Sequence, residues 1–180
     1  MADSIRTKSE ILALFPDNIS GAISPQDLRD FVVSTMAVED GVYAYLSTPA
    51  ETTCTLADTY YFIEGTFTNE VLECWEITPP LTYLGCNGTD GHKFQIIVNA
   101  SFTSDTSSNL IHMALHKNDV LQTNSIMSSY IKNTAEETMI STVDVLSFDI
   151  GDTIKIMVSA SQAGSKLTAQ NLTTSLNRFF

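Results

Sequence analysis

Basic residues are the scarcest resource of this chain. Nine Lys and Arg stand against 21 Asp and Glu, for a formal net charge of −12. A nucleic-acid binder needs a basic stripe along one face, and no segment supplies one, so nucleic-acid partners are excluded as an expectation. Long apolar runs are also missing: no stretch approaches the roughly 20 residues that span a bilayer, so no membrane partner is expected. Met1-Ala-Asp-Ser-Ile-Arg6 opens without a basic segment followed by an apolar core, so synthesis in the cytosol is expected. Three cysteines, Cys54, Cys74 and Cys86, cannot all pair within one chain, and their spacing fits no zinc or thioredoxin-type motif; reduced, buried thiols are expected. There is no Gly-x-Ser-x-Gly elbow, Walker loop or His-Glu-x-x-His, so neither catalytic nor cofactor-binding residues are expected.

What is present is apolar residues and hydroxyls. The chain is 43% hydrophobic and only 17% charged. That is enough to bury a core, and the abundant Ser, Thr and Asn suit exposed β-faces better than helix surfaces.

Two short helices are expected first. Thr7-Lys-Ser-Glu10 reads as a capping box ahead of Ile11, Leu12, Leu14 and Phe15, and Pro16 ends that helix. Ser24 caps a second helix with Pro25 at its first position, and Leu28, Phe31, Val32 and Met36 form its apolar stripe. A helical hairpin this small (residues 1–37) cannot fold alone and needs a partner for its apolar faces. Residues 38–57 read as a linker, with a candidate short strand at Val42–Leu46.

Residues 58–180 read as all β. Strands are expected over 59–67, 71–77, 81–84, 93–102, 110–117, 137–148, 153–160 and 167–178, with another starting at Val120-Leu121. The segments 103–109 and 123–136 read as loops. Phe94, Ile96, Val98, Ala100 and Phe102 share one face of the clearest strand. Ile154, Ile156, Val158 and Ala160 share one face of another, which Gly151-Asp152 joins to the strand ending at Phe148 as a hairpin turn. Such spacing predicts an antiparallel jelly-roll sandwich, mainly β, behind the helical segment.

Side chains with chemistry are few. His112 and His116 face the same way on a strand but sit about 13 Å apart, too far to share an ion within one chain. Three copies of one His meeting on a threefold axis would be the only route to a metal, and no metal site is expected. Asp144, Asp149 and Asp152 read as an exposed acidic turn rather than a calcium site. Glu64, Glu73, Glu76 and Asp58 are the carboxylates a glycosidase would draw on, but no pairing is evident. Trp75, Tyr60, Tyr61 and Tyr83 read as packing residues before they read as a sugar platform.

Two segments carry a family resemblance. Asp17-Asn-Ile-Ser-Gly-Ala-Ile-Ser-Pro-Gln-Asp-Leu-Arg-Asp-Phe-Val32 resembles a segment that precedes fibre or knob domains in virion proteins of tailed bacteriophages. Leu81–Gly85, Phe94–Val98, His116-Lys-Asn-Asp119 and Gly151–Ile154 resemble the trimeric jelly-roll knobs of phage fibre and decoration proteins and of tumour necrosis factor. Asp119 departs from the pattern, since Gly is commoner after Lys-Asn. The resemblance implies a virion-surface protein made in the host cytoplasm. It implies a virion anchor through Ile23, Pro25, Leu28, Arg29, Phe31 and Val32, docking on the major capsid protein or another virion protein. It implies a homotrimer, with Tyr61, Phe67, Trp75, His112, His116 and Phe180 as candidate interface residues. Between locations, a short chain with one knob and no shaft favours capsid decoration or a head fibre (a cement protein). A tail-fibre or baseplate adhesin recognising a host glycan or protein is the alternative.

Overall fold

The computed structural model describes residues 41–71, 75–79, 81–85, 91–134 and 136–179. The helical segment expected over residues 1–37, with all six anchor residues, lies outside the described residues, as do Cys74, Cys86 and Phe180.

The described chain is a two-sheet antiparallel sandwich. Its strands are β1 (Gly41–Leu46), β2 (Ala50–Cys54), β3 (Tyr61–Phe62), β4 (Phe67–Val71), β5 (Trp75–Thr78), β6 (Thr82–Gly85), β7 (His92–Ser104), β8 (Asn109–Lys117), β9 (Val120–Leu121), β10 (Met127–Ile131), β11 (Thr138–Phe148), β12 (Thr153–Ala160) and β13 (Ser165–Phe179), with a 3-10 turn at Thr123–Ser125. The first sheet runs β11-β7-β13-β1-β4, with β2 also beside β13. The second runs β10-β8-β12-β6-β5, with β3 beside β12 and β9 beside β8.

The alternation in the long strands sets the core. Phe94, Ile96, Val98, Ala100 and Phe102 are all buried, as are Ile154, Ile156, Val158 and Ala160. Trp75, Phe94 and Phe148 pack edge to face, with centroids 4.9–5.9 Å apart, the arrangement their ring quadrupoles favour. Tyr83 on β6 reaches across the sandwich to share a hydroxyl hydrogen bond with Thr174 on β13, linking the two sheets where an unpaired phenol would be costly. Burial holds the Tyr83 hydroxyl in its neutral form, raising its pKa despite the Thr174 bond. The Cys54 thiol is likewise buried, and desolvation pushes its pKa up to about 11.

Several expectations need correction. Residues 41–54 are not a linker: β1 and β2 both pair with β13, because Val42, Ala44, Thr52 and Cys54 alternate inward. The strand expected over 59–67 is cut at Gly65 (φ 137°), which sends β3 to the second sheet and β4 to the first. A Cβ there would stand 2.9 Å from the Ala50 Cβ, and the positive φ would strain any other side chain, so the position calls for glycine. Residues 123–136 are not a free loop, since β10 pairs with β8. Its Ser128-Ser129 centre hid the period-2 signal. Nor do β11 and β12 form a hairpin: the turn at 149–152 carries the chain from one sheet to the other.

A β-bulge at Gln170 divides β13. It resets the phase, so that Leu167 and Ala169 face inward before it and Leu172, Thr174 and Leu176 after it. Residues 165–169 pair with β2 and residues 173–177 with β1.

Candidate self-association face

The residues that alternate with the core on the first sheet make an outer face almost without charge. The registers align Val143, Ile97, Ser175 and Tyr43 in one row across β11, β7, β13 and β1. Ser141, Asn99, Thr173 and Tyr45 form the next row, and Val145, Gln95 and Asn177 flank the first on its other side. Charge returns towards the ends of the face, at Lys93 on one end and, beyond the β13 bulge, at Lys166 and Glu51, which pair with each other. Tyr43, Tyr45, Val143 and Val145 are exposed. Met139, at the β11 edge, is 74% exposed.

A soluble surface usually carries about a quarter to a third charged residues. Here a chain of net charge −12 leaves the part of the sheet face where β11, β7, β13 and β1 run side by side to Ser, Thr, Asn, Gln, Tyr and aliphatic groups. Loss of charge with exposed Tyr and Met is the compositional mark of an interface centre.

None of the expected interface residues among the described residues lies on this face; Phe180 falls outside them. Trp75 is 3% exposed and belongs to the aromatic core. Tyr61 and Phe67 pack against that core. His112 lies on the outer face of the second sheet, where Nδ1 bonds Ser128 Oγ at 2.6 Å. His116 meets the Tyr60 ring edge on, 5.2 Å between centroids, and its pKa is lowered, first by burial and also by the Lys155 charge, against the raising effect of Asp119. The expected interface residues are large aromatics and histidines, whereas this face is built of small uncharged residues recurring at outward positions of neighbouring strands.

The most charged local structure ties the strand ends together. Asn118 and Asp119 both adopt positive φ (50° and 64°), the geometry of a type I′ turn between β8 and β9, so Asp119 fills the place that Gly commonly takes. Asn118 Nδ2 donates to Asp152 Oδ1 at 2.6 Å, while its Oδ1 accepts from Thr153 N–H at 2.8 Å. Lys117 Nζ reaches Asp152 Oδ2 at 2.7 Å and the Ser147 carbonyl at 2.7 Å, lying 5.1 Å from the Phe148 ring centre. Asp152 Oδ2 also accepts from Asp149 N–H at 2.9 Å. Lys117-Asn118 and Gly151-Asp152, 34 residues apart for the Asn118–Asp152 pair, therefore form one clasp. Its carboxylate is consumed by protein donors. Among the described residues no group of three or more His, Cys, Asp or Glu is placed to hold a metal ion.

Burial alone would raise the Asp152 pKa. The Lys117, Asn118 and Asp149 donors outweigh it and hold the carboxyl at about 2, against an ordinary 3.8. A depressed folded-state pKa means stability that is fully present above about pH 4 and is lost as pH falls towards 2. The shift corresponds to about 2 kcal/mol. Asp152→Asn is expected to lower unfolding stability at pH 7 by about 1–3 kcal/mol and to flatten its acid dependence over that window. Urea melts of both proteins between pH 2 and 7 check this; parallel pH profiles would remove the clasp from the account.

No protein-family model matches this sequence, and a search of curated proteins finds no match. Among solved structures, the Eiger tumour necrosis factor of S. frugiperda superposes with a TM-score of 0.50 at 11% identity, covering 76% of this chain and 90% of that one. The described residues have a tumour-necrosis-factor-like jelly-roll fold. At this identity the likeness concerns the jelly roll alone. An infectious bursal disease virus structure (TM-score 0.36, 12% identity, 73% of this chain and 32% of that one) and the bacteriophage CBA120 tailspike protein 4 (TM-score 0.31, 11% identity, 79% and 20%) are more distant and add nothing to the assignment.

Proposed function

We propose that this chain is a non-enzymatic structural protein of a tailed-phage virion, a homotrimeric capsid-decoration or head-fibre protein attached through its N-terminal segment. The uncharged outer face of the first sheet is the observation that carries self-association. A closed ring of three requires two different patches that fit each other, because each subunit meets its neighbours head to tail. The face around Ser175 and Tyr43 supplies one. The edge formed by β10 and β11, where Met127 and Met139 are exposed, supplies the other. Support for the virion comes from residues 17–32 and their resemblance to segments that precede phage knobs. The strongly acidic remainder of the surface would keep neighbouring particles apart.

Immunogold electron microscopy of particles, with light scattering of the purified protein, tests both parts. Label over the head with a trimer mass in solution is expected. Label confined to the tail would favour the adhesin, and a monomer that labels no particle would sink the reading. Removing Met1 to Met36 is expected to leave a soluble trimer that no longer joins particles. Incorporation of the truncated protein would show that the anchor lies elsewhere.

A further inference from the structure

The geometry points to a shallow binding cleft for a neutral glycan where β2 meets β3, a site that depends on neither the virion location nor the trimer. The cleft encloses about 350 Å³, within the range of small-ligand sites. Its walls include Glu51, Thr53, Tyr60, Tyr61, Phe62 and Glu64. It sits on the side of the sandwich away from the β10 and β11 edge.

Its aromatic wall is fixed before any ligand arrives. The Tyr61 hydroxyl bonds Thr55 Oγ1 at 2.7 Å and accepts the Leu56 N–H at 2.9 Å. Tyr60 meets the His116 ring edge on, with 5.2 Å between centroids. Rings already held in place lose little freedom on binding. The Glu64 N–H donates to the buried Thr52 Oγ1 at 3.0 Å, which fixes the residue at the rim.

The charges select the ligand class. Glu51 is paired with Lys166 at 2.8 Å. Lys155, itself bonded to Asp119, lies 5.3 Å from the centre of the Phe62 ring. A cationic ligand thus finds the Phe62 ring already engaged by the protein's own ammonium. An anion meets Glu64, whose carboxylate has no ion-pair partner among the described residues. What fits is an uncharged molecule with a C–H face for the tyrosine rings and adjacent hydroxyls to donate to the two Glu64 oxygens. A hexose unit of a glycan has both.

The test is saturation-transfer NMR on the full chain with glucose, galactose, mannose and N-acetylglucosamine, and with tetramethylammonium as the cationic probe. Transfer to at least one sugar is expected. Glu64→Ala, at an exposed position, should weaken it by tenfold or more, since each of the two charge-assisted hydrogen bonds it removes is worth about a factor of ten, with an unchanged melting temperature. Thr53→Arg, which fills the cleft from an exposed strand position, should abolish it. No transfer to any sugar overturns the proposal, as does binding of tetramethylammonium alone. Sugar binding that survives both substitutions places the site elsewhere and overturns it too.

Discussion

Ile156→Asp is expected to yield no folded protein. Ile156 is 1% exposed at the centre of β12, which pairs with β8 on one side and with β3 and β6 on the other. Its neighbours on the inward face, Ile154 and Val158, are wholly buried, so no donor or water is available to a carboxylate. The substitution loses the transfer energy of a buried isoleucine and desolvates an unpaired charge, together more than about 5 kcal/mol. That matches the whole stability of many domains. Circular dichroism and a thermal melt decide the outcome. A cooperative, wild-type-like transition would mean that the inward and outward positions of β12 have been exchanged. Lys155→Ala, one residue away and facing outward, should keep the fold and lose only its contacts to Asp119 and Phe62.

The second large effect concerns assembly. Ser175→Asp is expected to convert the proposed trimer into single chains of 19.7 kDa while leaving the jelly roll intact. Ser175 lies between Ile97 and Tyr43 in the middle of the uncharged face, and its side chain points away from the core. In a closed ring the change would bury one unpaired carboxylate at each of three equivalent contacts. An uncompensated interfacial charge costs about 2–5 kcal/mol per contact. Val120→Asp, at a 63% exposed position on β9, is the control and should remain trimeric. Light scattering of both variants reads the result. A trimer that tolerates Asp at 175 would exclude this face as the interface.

The parts of the fold legible in the sequence were those written in period two with large apolar residues. Phe94 to Phe102 and Ile154 to Ala160 announced both strand and phase, because each inward position carried a side chain that could only be buried. β10 and β2 did not, because Ser128-Ser129 and Thr52-Thr53 have no apolar contrast. Their positions are set by pairing with β8 and β13, which local sequence does not encode. Similarly, Lys117-Asn118 and Gly151-Asp152 were visible as turns, but the clasp between them is a tertiary fact. The face proposed for association was the hardest to read. Its residues are individually unremarkable, and only the registers of β11, β7, β13 and β1 gather them into one surface.

The place of β13 governs the order in which the molecule can form. In the first sheet, β1 and β4 lie on one side of β13, and β7 and β11 on the other. Among the described residues β13 is also the last strand in sequence. During synthesis the two halves of that sheet therefore wait with an open edge each, and the slot between them is filled only when residues 165–179 have left the ribosome. Pairings this distant in sequence form slowly, and unpaired edges invite other chains. A ribosome stalled before residue 165 would hold β1 and β7 without the strand that joins them, at the stage when a chaperone has most to protect.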